Sequence, residues 1–208
     1  PVFTRHDEIS RFQLEMARAV GGDLLLAFEA RTRAARSARY EDSVLFRQLS
    51  AKLPFPISIE EWDLLQPAPG SPGDVRTLAR AIPTLNGQLT DLYRAGILDE
   101  SKAKLQRTHF AERKGSVEEL GLIEQAYDAE EASAFIASRL TAAAGNPSLA
   151  SVAASIARAL TKPNLLFDRR ATATALEIAA DNVPRTLGYV QENERVIAKN
   201  ERITEELK

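Results

Sequence analysis

Apolar residues recur along most of this chain at the three- and four-residue spacing of amphipathic helices. The first run begins at Ile9, continues through Phe12, and resumes after Gly21 and Gly22 to about Arg39. Because each glycine costs roughly 1 kcal/mol relative to alanine inside a helix, we expect a bend or a break at this pair, where another helix can pack closely. The sequence therefore opens with a long helical segment.

Capping residues and prolines mark where further helices begin and end. Ser58 and Glu61 have the spacing of a capping box, in which Ser58 accepts from the third helical amide and the glutamate reaches back. They predict a short helix that carries Trp62 and is anchored to the core by it. A second helical pattern covers about 73–95 and contains Pro83, which should kink the helix because proline lacks an amide donor.

The C-terminal half contains three more amphipathic patterns with many small residues. Small side chains on a buried face allow helices to approach closely, so we predict tight packing of these three helices. The positions on the apolar faces are Ala132, Phe135, Ile136 and Leu140; Leu149, Val152, Ala153, Ile156, Ala157 and Leu160; and Ala171, Ala175, Ile178 and Ala179.

Two other regions have features that are typical of strands. Between about 105 and 125, β-branched, aromatic and aliphatic residues lie on both sides of a turn at Lys114-Gly115, which predicts two short strands. In the tail, the tetrad Asn-Glu-Arg-Val/Ile occurs at Asn193 and again at Asn200, and asparagine tolerates the left-handed backbone region that tight turns require. The tail is therefore predicted to form a hairpin.

These patterns together predict an α+β fold that is predominantly helical. Amphipathic helices should pack with a small β-sheet that includes the C-terminal hairpin, and residues 1–5 are a candidate further strand. We take 1–208 as one domain, with the proline- and glycine-rich loop 67–73 as the candidate sub-boundary.

The C-terminal half also carries a family resemblance. The segment 181–207, from Asp-Asn-Val-Pro through both tetrads, resembles the end of the extracytoplasmic domain of seven-transmembrane receptors with an intracellular HD hydrolase. The usual family form has glycine where this chain has Asn193 and Asn200. The two alanine-rich helices around Lys-Pro-Asn-Leu-Leu-Phe-Asp at 162–168 look like that family's C-terminal half, and Pro1-Val2-Phe3 is similar to its opening sequence.

The resemblance implies a signal-input role outside the membrane. In such a parent, a cytoplasmic HD domain hydrolyses cyclic di-AMP, and the extracytoplasmic domain senses a small-molecule or protein ligand. A conformational change would pass the signal to the hydrolase through membrane helices, which we expect to flank residues 1–208. The domain would then be joined to the membrane through those helices.

Composition narrows the classes of partner and of chemistry. The chain has 208 residues, of which 44% are hydrophobic and 27% charged, and its net charge of −2 provides no basic patch for nucleic acid. There is no cysteine, so disulfides, cysteine nucleophiles and thiolate metal sites are excluded. The longest uncharged stretch, 140–157, contains a Gly-Asn-Pro turn and is not expected to span a membrane.

No set of residues in the chain has the pattern of an active site. His6 and Asp7 form an HD dipeptide, but His109 is the only other histidine, so the metal site of an HD hydrolase cannot be completed here. The chain also lacks a nucleophile elbow, a phosphate-binding glycine loop and a His-Glu-x-x-His motif. We therefore expect neither a metal, nor a cofactor, nor catalysis in this fragment.

Three residues are candidates for ligand binding. Arg107 and His109 could hold an anion, because arginine offers a fork of donors and histidine can gain charge near neutral pH, although a strand-edge histidine without a function is the default interpretation of His109. Trp62 could stack on a ligand or could be a buried anchor. Arg31, Arg33, Arg36 and Arg39 form a basic run. The last three, at three-residue spacing, share roughly one helix face, which is predicted to be solvated, with lipid headgroups or an acidic partner as the alternative.

Two other classes of function are compatible with the sequence. A structural or oligomerisation module would bind partners, including a second copy in a homodimer, without any small molecule. A soluble enzyme of an unrecognised type would need a polar pocket with perturbed ionisable groups.

Overall fold

The structure is a computed structural model that describes residues 1–36, 41–65 and 75–183. It divides into two units, 1–169 and 170–208, of which the second is described through most of one helix. In chain order the elements are β1 Val2–Arg5, α1 Asp7–Ala34, α2 Asp42–Ser50, α3 Ile59–Leu64, α4 Val75–Thr84, α5 Asn86–Ala95, β2 Ile97–Leu98, α6 Lys102–Leu105, β3 His109–Lys114, β4 Val117–Leu122, β5 Tyr127–Asp128, α7 Ala129–Ala144, a 3₁₀ turn Pro147–Leu149, α8 Ala150–Leu160, β6 Leu165–Phe167 and α9 Arg169–Asp181.

The strands form one mixed sheet with the order β4-β3-β1-β6-β2-β5. β1 pairs parallel with β3 and antiparallel with β6, so the N-terminal segment is a central strand. The α+β prediction is confirmed, as are the two strands expected in 105–125 and the strand at the start of the chain. The predicted C-terminal hairpin and the loop 67–73 lie outside the described residues.

A glycine opposite an aromatic ring fixes the β3–β4 hairpin. Phe110 pairs with Gly121, and a Cβ atom at Gly121 would lie only 2.7 Å from the Phe110 ring. The ring can therefore lie across the hairpin, where it makes an edge contact with Phe3 at a centroid distance of 5.6 Å. With Leu98 and Leu165, these aromatic residues form a small core under the sheet.

A larger core lies between the helices of the first unit. It is built mainly from α1, α4, α5, α7 and α8. The small residues of the first two apolar stripes predicted for the C-terminal half lie in α7 and α8 and belong to this core. Of the third predicted stripe, in α9, Ala171 is buried whereas Ile178 is 57% exposed. The close packing predicted along this third stripe stays a prediction.

Helix α1 runs without interruption through the two glycines, so of the expected bend or break the break is wrong and the bend stays a prediction. The close approach expected there is confirmed, because a Cβ atom at Gly21 would lie 2.4 Å from the carbonyl oxygen of Ala79 in α4. Pro83 has no N–H to donate to that carbonyl, so Ala79 lacks its helical partner at this position. The contact with the backbone of α4 restrains α1 in a helical conformation despite its two glycines.

Pro83 has a stronger effect than the predicted kink. The helical pattern of 73–95 is divided into α4, which ends at Thr84, and α5, which begins at Asn86. Leu85 between them is buried, with 7% of its surface exposed. The expectation of one kinked helix is therefore corrected to two helices joined by an apolar residue.

The predicted capping box at the start of α3 is present. The Glu61 amide donates to Ser58 Oγ at 3.2 Å, and the Ser58 amide donates to Glu61 Oε2 at 2.9 Å. Phe55 and Trp62 are both buried, at 2% and 1% exposure, as expected of anchors for this segment. Local sequence signals therefore suffice to place α3 correctly.

Candidate functional site

A groove of about 770 Å³ lies between α1 and α8, and we call it the α1–α8 groove. Its volume falls in the range of about 300–1,000 Å³ that is typical of small-molecule sites. Its lining residues are Phe12, Gln13, Met16, Pro54, Pro56, Ser155, Arg158, Ala159 and Lys162.

Helical spacing explains how α8 contributes to the groove. Ser155, Arg158, Ala159 and Lys162 are separated by three, one and three residues, so they follow one side of the helix and its C-terminal extension. The other wall comes from one turn of α1, beginning at Phe12. Two prolines between α2 and α3 close one side with rigid apolar rings.

The floor of the groove contains a buried acceptor without a partner. Gln13 is 6% exposed, and its Oε1 atom has no hydrogen-bond partner among the described residues. A buried acceptor left unsatisfied typically costs about 1–3 kcal/mol. The groove therefore offers an acceptor, Gln13 Oε1, to which a bound molecule can donate a hydrogen bond.

A chain of polar contacts connects the groove to the start of α3. Arg158 Nη2 donates to Ser155 Oγ at 3.3 Å, and Ser155 Oγ donates to Glu61 Oε1 at 2.7 Å. The other oxygen of Glu61 accepts from the Ser58 amide in the capping box. One buried carboxylate therefore links α8 to the first turn of α3.

The rim of the groove is cationic and its walls are largely apolar. Arg158 and Lys162 are exposed, while the Glu61 carboxylate lies behind Ser155 and is 8% exposed. The rim favours an anionic group of a ligand, because Arg158 and Lys162 carry two positive charges there and Glu61 beneath them carries one negative charge. Phe12 is 63% exposed beside them and adds an aromatic surface.

A second cavity of about 430 Å³ lies between α2 and α3, and we call it the α2–α3 cleft. Next to it, Arg31 is 2% exposed and its guanidinium carbon lies 4.4 Å from the centre of the Trp62 ring. Arg31 donates to the Trp62 carbonyl and to Asp42, and Trp62 Nε1 donates to Asp42 Oδ1 at 3.2 Å. The lining residues are Asp42, Ser43, Phe46, Arg47, Ile59, Trp62 and Asp63.

Arg31 belongs to the basic run but lies off the face that the sequence predicts to be solvated. Arg33 and Arg36 are exposed as expected, whereas Arg31 points into the core and is paired there. Two residues of helix correspond to a rotation of about 200°, so Arg31 and Arg33 face opposite sides. Arg39 lies outside the described residues.

Comparison with known proteins identifies the family. A family model described as 7TM-HD extracellular matches residues 11–207, nearly the whole chain. The chain belongs to this 7TM-HD extracellular family. It is accordingly an extracytoplasmic part of a membrane protein. No curated protein and no solved structure matches the chain.

Within the described residues of this 7TM-HD extracellular domain, no helix is long and apolar enough to cross a membrane. No group of three or more histidine, aspartate or glutamate side chains in the same part of the chain could hold a metal ion. His6 Nδ1 instead lies 2.8 Å from Glu8, and Asp7 pairs with Lys114 at 2.7 Å. The hydrogen bond to Lys114 is the main reason why the pKa of Asp7 is lowered. Both residues of the HD dipeptide therefore have partners unrelated to metal binding.

The structure does not bring the three sequence candidates together. Trp62 lines the α2–α3 cleft, and its ring contacts both Arg31 and Phe46, whereas Arg107 and His109 are exposed and line neither cavity. His109 begins β3, with its Nδ1 atom 2.8 Å from Thr108 Oγ1. The binding role of all three stays a prediction.

Sequence reasoning missed the α1–α8 groove, although two signals for it were present. Gln13 is a polar residue at a buried position of α1, beside the apolar residue Phe12. Arg158 and Lys162 continue the line of Ser155 at the end of an otherwise apolar helix. Neither signal reveals that the two helices adjoin, because α1 and α8 lie far apart in the sequence.

Proposed function

We propose that this 7TM-HD extracellular domain is the signal-input domain of a membrane-bound HD phosphodiesterase that hydrolyses cyclic di-AMP. A ligand or partner that binds outside the membrane would change the activity of the cytoplasmic hydrolase. The observation that carries the proposal is the α1–α8 groove, which combines a buried unpaired acceptor, a cationic rim and a polar connection to α3. Structural cores seldom leave such a combination open to solvent.

The proposed mechanism is a population shift. A ligand that touches both α1 and α8 favours whichever arrangement of the two helices it fits best. The N-terminus of α1 and the residues after α8 converge at Asn164, whose carbonyl accepts from the His6 amide at 2.8 Å. A change in the groove can therefore reach β1 and β6, which are hydrogen-bonded neighbours in the sheet.

The groove favours binding over catalysis. Ser155 is the hydroxyl residue among the lining residues of the groove. The Ser155 hydroxyl donates to Glu61 and accepts a hydrogen bond from Arg158. The lining contains no histidine that could carry a proton between a nucleophile and a leaving group. These features support a fragment that is not itself an enzyme.

The test uses the parent protein in proteoliposomes with this domain facing the added reagent. Antibody fragments selected against several faces of the 208-residue chain are added to saturation, and hydrolysis of cyclic di-AMP is measured on the other side. At least one fragment should change the rate about fivefold or more, the lower range of typical coupling between sites. If all fragments bind and none alters the rate, the domain is not an input for the hydrolase.

A structural module that forms homodimers is the second candidate, and the edge strand β4 is the observation that favours it. Leu120 is 81% exposed and Val117 is 55% exposed on this six-residue strand at the end of the sheet. An exposed edge presents unpaired backbone groups to which a second copy can add a strand. Sedimentation over a range of concentrations should then show a dimer that Leu120→Lys abolishes, and a monomer throughout would remove this candidate.

A further inference from the structure

We propose that the α1–α8 groove binds an apolar monocarboxylate that carries an N–H donor, which is the chemistry of an apolar amino acid or of the C-terminal residue of a short peptide. This inference rests on the proposed input function, because it names the class of signal that the same groove would take. Three properties of the groove, namely those of its floor, its rim and its walls, restrict the ligand.

The floor requires a donor from the ligand. Gln13 Oε1 is buried, lines the groove and has no partner among the described residues. An ammonium or amide N–H of a bound molecule can supply the missing hydrogen bond, and a charged donor makes the stronger one. A ligand without an N–H or O–H donor would leave this acceptor unsatisfied.

The rim selects a single carboxylate. Arg158 uses Nη2 to hold Ser155, and its side chain makes no ion pair with any described residue, nor does Lys162. A guanidinium fork matches the two oxygens of a carboxylate, and the nearby ammonium adds a second positive charge. The Glu61 carboxylate behind Ser155 would repel a second acidic group placed deeper in the groove.

The walls select an apolar body. Phe12, Met16, Pro54 and Pro56 line the groove together with the acceptor and the rim residues. Burial of apolar surface favours binding, and methionine adapts its shape to different side chains. An aliphatic or aromatic side chain on a short backbone therefore satisfies the floor, the rim and the walls together.

The first measurement is isothermal titration of the 208-residue chain with a matched set of probes. N-acetyl-leucine carries all three features, N-acetyl-leucinamide lacks the carboxylate, and 4-methylpentanoate lacks the N–H. Each incomplete probe should bind about tenfold more weakly than the complete one. Equal affinities for the three probes, or no saturable binding by N-acetyl-leucine, leucine and Leu-Leu, would overturn the proposal.

Free leucine and the dipeptide Leu-Leu separate the two sources of this chemistry. Tighter binding of leucine than of Leu-Leu and N-acetyl-leucine assigns the groove to free amino acids, since the ammonium is then the preferred donor for Gln13. Tighter binding of Leu-Leu assigns it to peptide C-termini, since the groove then accommodates the preceding residue. Either order supports the proposed ligand class.

Variants connect the binding to the groove. Arg158→Gln and Lys162→Gln should weaken N-acetyl-leucine binding several-fold and leave the binding of N-acetyl-leucinamide unchanged, because only the carboxylate meets the rim. Gln13→Met should remove the preference for N-acetyl-leucine over 4-methylpentanoate. Arg94→Gln is the control, since Arg94 is 75% exposed, pairs with Asp91 and lies outside the groove.

The exposed position of Lys162 keeps the test decisive if Gln13→Met unfolds the protein, because Lys162→Gln removes no buried group. Unchanged affinity in both rim variants would place the binding elsewhere and overturn the proposal.

Failure of this ligand proposal can be told apart from failure of the proposed input function. If the probes do not bind but antibody fragments still change hydrolysis, the ligand class is wrong and the input function stands.

Discussion

At the scale of single residues, a few buried polar side chains join parts of the chain that are distant in sequence. Asn164 is fully buried and its side chain accepts from the Ile97 amide at 2.8 Å. Its amide nitrogen donates to Ser10 Oγ at 2.9 Å and to the Tyr93 carbonyl at 3.1 Å. One asparagine therefore satisfies groups at the start of α1, the end of α5 and the strand β2.

Replacement of this asparagine should be costly. Asn164→Ala leaves the Ile97 amide buried without a partner and removes one of two donors to the Tyr93 carbonyl, so we expect a loss of about 2–4 kcal/mol in the free energy of unfolding. Urea denaturation followed by far-UV circular dichroism measures it. Asn182→Ala is the control, because Asn182 is exposed and uses only its backbone in hydrogen bonding. A loss no larger than that of the control would contradict the role assigned to Asn164.

The buried guanidinium of Arg31 provides a second prediction. Arg31→Lys keeps the charge but loses the planar fork and the stacking on Trp62, so we expect a loss of about 2–4 kcal/mol. Trp62 is the only tryptophan in the chain, so its fluorescence reports on this cluster directly. Arg33→Lys, two residues away on the exposed side, should change neither the emission nor the stability. Equal behaviour of the two variants would show that the stacking has no energetic role.

Tyr93 predicts a dependence of stability on alkaline pH. Burial raises the pKa of its hydroxyl, although a backbone hydrogen bond at Lys162 acts in the opposite direction, and the hydroxyl donates to the Leu160 carbonyl at 2.7 Å. Because the folded pKa is raised, this contribution is fully present below the ordinary value of about 10. It is lost above that pH at up to about 1.4 kcal/mol per pH unit.

The variant Tyr93→Phe should isolate this effect. Its free energy of unfolding should be about 1 kcal/mol lower than that of the unmutated chain at pH 8, since one buried hydrogen bond is lost. The difference should shrink as the pH rises above 10, because phenylalanine does not titrate. Urea titrations at pH 8 and at pH 11 measure the difference in stability at each pH, and Tyr127→Phe, at a half-buried tyrosine, is the control. A constant difference between the two pH values would contradict the assignment to Tyr93.

At the scale of elements, the crossing of α1 and α4 depends on one missing hydrogen bond and one missing side chain. Pro83 leaves the Ala79 carbonyl without its helical donor, and Gly21 lets the backbone of α1 approach that carbonyl. Its neighbour Gly22 has no heavy atom within 4 Å of the position that a Cβ would occupy. Two adjacent glycines in one helix therefore have opposite structural roles.

Alanine substitution should separate these roles. Gly21→Ala forces α1 and α4 apart and should lower the free energy of unfolding by about 1–3 kcal/mol. Gly22→Ala should raise it by about 0.5–1 kcal/mol, because alanine favours the helix and meets no neighbour. Paired thermal and urea denaturation of the two variants decides the matter. Stabilisation by both would mean that the helices do not approach closely at Gly21.

At the scale of the whole molecule, polar contacts join the two cores of the first unit. The helical core and the small core under the sheet are separate clusters. Arg5 in β1 crosses between them: it pairs with Glu112 of β3, and Nη1 donates to the Tyr93 carbonyl at 2.7 Å. The positive group also lies at the C-terminal end of α5, where it favours the helix dipole.

Weakening this connection should reduce the cooperativity of unfolding. Glu112→Gln removes the charge that orients Arg5, so we expect a loss of about 1–3 kcal/mol and a lower dependence of unfolding on urea. Glu119→Gln is the matched control, since Glu119 is the exposed partner of Glu112 across the β3–β4 hairpin. Identical urea dependence in the two variants would contradict a connecting role for the Arg5–Glu112 pair.

The sequence by itself determined those features that depend on neighbours in the chain. The capping box of Ser58 and Glu61, the strands around Lys114-Gly115 and the helical stripes of α7 and α8 were predictable because their signals lie within one or two turns. The family was also predictable, since its resemblance is carried by contiguous segments such as 162–168. The C-terminal hairpin stays a prediction.

The tertiary structure alone decided which polar residues are buried and which helices adjoin. Arg31 and Arg33 look alike in the sequence, yet one is buried under Trp62 and the other is solvated, because a helical rotation places them on opposite sides of α1. The α1–α8 groove combines Gln13 with Arg158 across most of the chain, and no local periodicity records that proximity. Burial and long-range contact depend on how the helices pack, which is a property of the whole fold and not of any one segment.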